Sequence, residues 1–219
     1  MLDVLRNELI EVKAKFNTPR RTQLVESEFE MDIEELIQRE DMVVTISHSG
    51  YVKRVPLDTY RAQKRGGKGR SGTSLKDDDF VADMFVASTH TPIVFFTSRG
   101  IAHKIKVWQL PLGTPQARGK AMVNILPLQP GEAISVVMRL PENEAAWENL
   151  DVMFATSEGG VRRNRLSDFS NIRASGLIAM KLEGEEKLVS VRICKENEDV
   201  LLATRMGRAI RFPVSDVRV

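Results

Sequence analysis

The chain has 219 residues, 32 Lys+Arg against 30 Asp+Glu, 42% hydrophobic residues and one cysteine. That apolar content excludes a disordered chain, and the lone Cys194 excludes an internal disulfide framework and fits a reducing compartment. No run of eighteen apolar residues occurs and the first residues carry no secretory pattern, so a soluble cytoplasmic protein away from membranes is expected. The net charge of +2 argues against a strongly basic polyanion binder until it is divided along the chain. Residues 1–41 balance to −5, residues 42–76 to +7, and residues 77–219 to zero. A compact basic segment makes a local field that holds a polyanion whatever the total.

In chain order, Leu2, Leu5, Leu9, Val12 and Phe16 are spaced three and four apart, which predicts a helix with a coiled-coil type of stripe. Asn17-Thr18-Pro19 stops it, because proline cannot continue the hydrogen-bond ladder. Residues 1–18 therefore read as the end of a longer helix or one packed on a partner, since so short a stripe is marginal alone. Residues 19–41 read as an acidic linker, with one strand expected near Ile33–Ile37.

From residue 42 to residue 219 an internal repeat replaces the helical period. The segments 43–57, 93–107, 152–166 and 200–214 align on Gly50, Gly100, Gly159 and Gly207. Each has an apolar strand, a Ser or Thr three residues before the glycine (Ser47, Thr97, Thr156, Thr204), and a second strand. A small polar residue followed by glycine supplies the positive φ of a tight turn, so each unit is predicted to be a β-hairpin. Between hairpins the chain repeats a leucine, a polar turn and an alternating apolar strand, bringing each unit to roughly four strands. The glycines lie 50, 59 and 48 residues apart, and such a period is the signature of propeller-type blades. A two-sheet sandwich is the alternative, and the repeated motif weighs against it. Met84, Met138 and Met153 fall in apolar strands and read as core, and Trp108 and Trp147 as packing anchors.

The basic segment contains Gln63-Lys64-Arg65-Gly66-Gly67-Lys68-Gly69 followed by Arg70. A phosphate-binding P-loop fails here, because Gly67-Lys68 is followed by Gly69 and the earlier glycine position holds Ala62. The G-x-x-G clamp of KH domains fails for want of flanking helices. A flexible loop whose glycines admit phosphates while the cations neutralise them fits the residues. This run resembles the seven-residue box of DNA gyrase A subunits, usually written QRRGGKG, in six of seven positions, with Lys64 keeping the charge of an Arg. The surrounding repeats are similar to the C-terminal β-pinwheel of that family. The helix followed by Pro19-Arg20-Arg21-Thr22 looks like the exit from its coiled coil.

The resemblance implies an all-β, propeller-like β-pinwheel of four-stranded blades, about four of six present, preceded by a short α-helix. It implies a piece of a longer subunit, with weaker wrapping than a complete disc gives. The implied function is non-sequence-specific binding, bending and wrapping of double-stranded DNA in support of ATP-dependent negative supercoiling. The implied partners are duplex DNA, the gyrase B subunit, plus the remainder of the A subunit in the A2B2 complex, in a cytoplasmic, nucleoid-associated setting. No cofactor is expected in this chain, with ATP and Mg used by other domains. The related topoisomerase IV disc, with a degenerate box or none, is the alternative within the class; a propeller scaffold for protein partners is the alternative outside it.

The repeat itself adds candidate contacts. The fourth residue after each turn glycine is basic: Arg54, Lys104, Arg163 and Arg211. Lys53, Lys106, Arg162, Arg165 and Arg208 flank these positions, and His103 aligns with Lys53 and Arg162. Blades are expected to set these groups around an exposed rim that meets phosphates rather than base edges, with strong salt dependence. Several separated contacts offset the cost of bending a stiff duplex. Tyr51 and Tyr60 lie outside any cleavage motif, the three histidines form no ligand cluster, and Asp77-Asp78-Asp79 reads as a solvated turn. No catalytic or metal site is expected in the chain.

Overall fold

The computed structural model describes residues 2–18, 33–60 and 79–219. It divides into two units, Met1–Leu36 and Ile37–Val219. The first holds helix α1 (Leu2–Phe16), which ends where Asn17 N–H donates to the Lys13 carbonyl and buries no side chain among the described residues. The strand expected near Ile33–Ile37 is instead a single 3-10 turn, Ile33–Leu36. Consecutive Glu34 and Glu35 in that segment suit a solvated turn better than a strand needing two apolar faces.

Among the described residues the second unit has four hairpins: β1 (Asp41–Ser47) with β2 (Tyr51–Pro56), β4 (Pro92–Thr97) with β5 (Ile101–Lys106), β8 (Asp151–Thr156) with β9 (Val161–Arg165), and β12 (Asp199–Ala203) with β13 (Ala209–Pro213). Every turn closes as the repeat predicts. The glycine N–H donates to the Ser or Thr carbonyl three residues earlier, at 3.0–3.1 Å, and all four turn glycines have φ between 76° and 88°. In three of the hairpins the Ser47, Thr97 or Thr204 hydroxyl also accepts the N–H of the residue after the glycine.

In the first three repeats a later strand folds back onto the hairpin's first strand: β3 (Val81–Ser88) on β1, β7 (Ile134–Arg139) on β4, and β11 (Leu188–Cys194) on β8. A fourth strand comes from beyond the next hairpin. β6 (Lys120–Ala121) pairs with β2, and β10 (Leu177–Ile178) with β5. The first two sheets therefore have four strands, in the orders β3-β1-β2-β6 and β10-β5-β4-β7, and the last two have three and two. These sheets are open blades, and the all-β, propeller-like class is as expected from the repeat.

The core lies between consecutive blades. Alternation along β4 sends Ile93 and Phe95 into one cluster with Val44, Val52, Leu110 and Met122, and Val94 and Phe96 into the next with Phe154, Leu166 and Phe169. A strand buried on both faces reads as a continuous apolar run, which is why IVFF shows no alternation. Met138 and Met153 are core residues as expected, but Met84 is 64% exposed. On β3 only Phe85 and Ala87 are buried, so the even-numbered side chains face outward. Trp147 is buried and its indole N–H donates to the Pro141 carbonyl at 2.9 Å.

Candidate nucleic-acid interface

Each blade presents its cations from the second hairpin strand, and the neighbouring blade decides which of them reach solvent. The segment Gln63-Lys64-Arg65-Gly66-Gly67-Lys68-Gly69 and Arg70 lie outside the described residues. Arg162, Arg165 and Arg208 are exposed, Arg162 Nε donating to Asn164 Oδ1 at 2.9 Å. Arg211 is exposed too and pairs through Nε and Nη2 with Asp199 Oδ2. Lys106 is half-buried at the start of a 3-10 turn, where its backbone N–H donates to Gln109 Oε1.

The expected exposed rim is corrected at several positions. Lys53 is only 1% exposed, and its ammonium donates to the carbonyls of Thr114, Pro115 and Ala117. Burial lowers its pKa, yet three carbonyl dipoles replace the water it has left. Arg163 is 6% exposed: Nε and Nη2 reach Asp151 Oδ2 at 2.9 and 2.6 Å, and Nη1 reaches the Val214 carbonyl at 3.3 Å. Its hydrogen bonds to Asp151 raise its pKa against the opposing effect of burial. Arg54 and Lys104 are half-buried. Arg54 Nε donates to the Leu110 carbonyl at 2.8 Å. Lys104 Nζ donates to the Ser170 carbonyl and lies 5.6 Å from the Trp147 ring centre. Burial lowers the pKa of both. Each of these four cations reaches a backbone carbonyl of the next repeat rather than water alone.

His103, expected at the rim, is 3% exposed, with Nε2 lacking a hydrogen-bond partner among the described residues. Burial lowers its pKa from 6.5, partly offset by Glu132. Asp79 is half-buried, and its Oδ1 accepts the N–H groups of Ser49 and Phe80, so it caps the first hairpin turn.

Sequence reasoning passed over Arg118 and Lys120. Lys120 is exposed on β6, at the outer edge of the first blade. The Arg118 guanidinium lies 3.7 Å from the Tyr51 ring centre, a cation–π arrangement that holds it against β2. Between them Gly119 has φ +90°, and a Cβ there would stand 2.4 Å from the Val52 carbonyl oxygen, so only glycine lets β6 seat on β2. The available signal was the basic–Gly–basic run Arg118-Gly119-Lys120, which echoes Arg65-Gly66-Gly67-Lys68. Among the described residues, the exposed cations on β9 and β13 and Lys120 on β6 are of the kind that can meet phosphate groups.

The family model described as "DNA gyrase C-terminal domain, beta-propeller" matches residues 41–88, 91–144, 150–195 and 198–219. The first three of these stretches each take in a hairpin together with the strand that folds back onto it. Over all 219 residues the chain is 53% identical to the DNA gyrase A subunit of Rickettsia bellii, of which it covers 24%; it spans about a quarter of the length of such curated relatives. Among solved structures, the C-terminal domain of DNA topoisomerase IV superposes with a TM-score of 0.69 and 27% identity, over 83% of this chain and 54% of that one. The DNA gyrase A C-terminal domain superposes with a TM-score of 0.61 over 82% of this chain and 57% of that one, at an identity of 23% that speaks to fold alone. Four matched stretches, each beginning at or within a few residues of a hairpin's first strand, show that the chain belongs to the DNA gyrase C-terminal domain, beta-propeller family.

Proposed function

We propose that this chain binds duplex DNA without sequence preference and bends it along the outer edges of consecutive blades, as the wrapping region of a gyrase A subunit. The observation that carries this function is the box, Gln63 to Gly69, within a segment of charge +7 in a chain of this family. Exposed Arg162, Arg165, Arg208 and Arg211, with Arg118 and Lys120, supply further phosphate contacts on separate blades, and several separated contacts are what a bend requires. Negative supercoiling, use of ATP and Mg, and assembly with a B subunit belong to the longer protein and are proposed for it as a whole. The chain contributes no catalytic residue and no cofactor site under this proposal. The box also separates it from a topoisomerase IV disc, whose fold is similar too.

The test is duplex binding at two salt concentrations, with wild type beside Lys64→Ala, Arg65→Ala and Lys68→Ala combined. A steep fall in affinity with salt, made shallower by the substitutions, is the expected outcome. Absent binding, or binding indifferent to salt and to the substitutions, rejects the proposal. Circle closure in the presence of the protein then reads chiral wrapping as a shift in linking number.

A further inference from the structure

Three of the four hairpins repeat one contact that crosses from each repeat to the next. Arg54 Nε donates to the carbonyl of Leu110, Lys104 Nζ to that of Ser170, and Arg163 Nη1 to those of Val214 and Val217. Leu110, Ser170 and Val217 occupy one structural place: each is the residue that ends the 3-10 turn after the following hairpin, at Val107–Gln109, Leu166–Phe169 and Val214–Asp216. The end of a helical turn leaves carbonyl groups without intrahelical donors, and a cation is the natural partner for them. In the first blade Arg54 also pairs by backbone with the residues that follow Leu110: its N–H donates to the Pro111 carbonyl and its carbonyl accepts the Gly113 N–H. Around each contact the two blades meet largely through apolar side chains, beside the backbone pairing of β6 on β2 and of β10 on β5 and the Lys53 ammonium on the carbonyls of residues 114, 115 and 117.

We infer that the cation four residues after each of the first three turn glycines is a positioning residue: it clasps the end of the next repeat's 3-10 turn and so fixes the angle between consecutive blades. Apolar packing is non-directional and tolerates small rotations, whereas a cation withdrawn from water is held by the carbonyls within its reach and loses them when the blades turn. Resting on the DNA-wrapping proposal above, this angle sets the curvature of the path along which the exposed outer cations meet a duplex. A change repeated from blade to blade accumulates along that path. The clasp residues thus act on bend without themselves touching phosphate.

Lys104→Met keeps the apolar stem and removes the donor, and Lys104→Arg restores a donor. Nitroxides placed at exposed Arg99 and Glu158, in consecutive hairpin turns, read the angle directly, with the buried Cys194 left in place. The expected result is a distance distribution at least twice as broad in Lys104→Met and of wild-type width in Lys104→Arg. On closed circles, the linking-number shift falls by at least half in Lys104→Met. Affinity for a duplex too short to span two blades stays within about twofold, with an unchanged salt slope. Arg54→Met, with nitroxides at Ser49 and Arg99, repeats the test where backbone pairing to Pro111 persists if the first variant fails to fold. Unchanged spin distances, or a salt slope reduced by about 0.9 as for one lost phosphate contact, overturn the inference. If wild type itself shifts no linking number, wrapping fails, and the spin distances alone decide the clasp.

Discussion

The third and fourth hairpins carry the same ion pair in different surroundings. Arg163 bonds Asp151, and Arg211 bonds Asp199, each twelve residues apart and each through Nε and Nη2 to one Oδ2. The Arg163 side chain is 6% exposed and the Arg211 side chain 74%. The difference arises from what covers the pair: Val214 and Val217 of the following repeat lie over Arg163 and accept its remaining donors. An Arg–Asp pair at this spacing is thus a solvated surface feature or a buried structural link according to the neighbouring blade, and the spacing and the residue types are the same in both cases.

Removing one partner of each pair separates the two environments most strongly. Arg163→Met leaves the Asp151 carboxylate without its counter-charge between strands, and a loss of about 3–5 kcal/mol in urea-unfolding stability is expected. A loss below about 1 kcal/mol there would place that pair with its exposed counterpart. Lys53→Met strips the ammonium from three carbonyls in the loop 114–117, and equilibrium unfolding is expected to show about 2 kcal/mol lost. His103 gives a pH-dependent version of the contrast. Its pKa is lowered in the fold, so above 6.5 both folded and unfolded chains hold a neutral ring and stability is unaffected by this residue's titration. As pH falls from 6.5 toward the lowered value, the unfolded chain binds the proton first and stability drops. His103→Gln removes that decline, so its thermal midpoint should fall less steeply than that of wild type as pH drops below 6.5. Smallest of all, Arg211→Met should cost less than about 1 kcal/mol, because an exposed pair is screened and its side chains are free to move. A double-mutant cycle with Asp199→Asn checks that the coupling is equally small.

What the sequence disclosed follows from which interactions side-chain identity encodes. Turn glycines and the Ser or Thr three residues before them were legible because positive φ and a hydroxyl acceptor are properties of those residues. Helix α1 was legible from its three-and-four spacing. The clasps were not, because their acceptors are backbone carbonyls of Leu110, Ser170 and Val217, groups that every residue carries. Lys53 misled for the same reason: its partners are the carbonyls of a loop more than sixty residues away. At Ile33 to Leu36, two apolar residues flanking two glutamates gave too little pattern to choose strand over turn. Met84 misled because β3 is an edge strand with one face uncovered, while β4 in the next blade is covered on both.

The loan of β6 to the first blade and of β10 to the second has a consequence for how the chain is made. The first blade, begun at Asp41, cannot seat its fourth strand before Ala121 has been synthesised, and the second waits for Ile178. Assembly from the ribosome therefore proceeds with the first and second blades each held one strand short until the next hairpin has emerged, the open edge on β2 or β5 passing from vacancy to closure in order. Repeats that merely stack could fold singly and associate afterwards; here completion of each is an event in the folding of its successor.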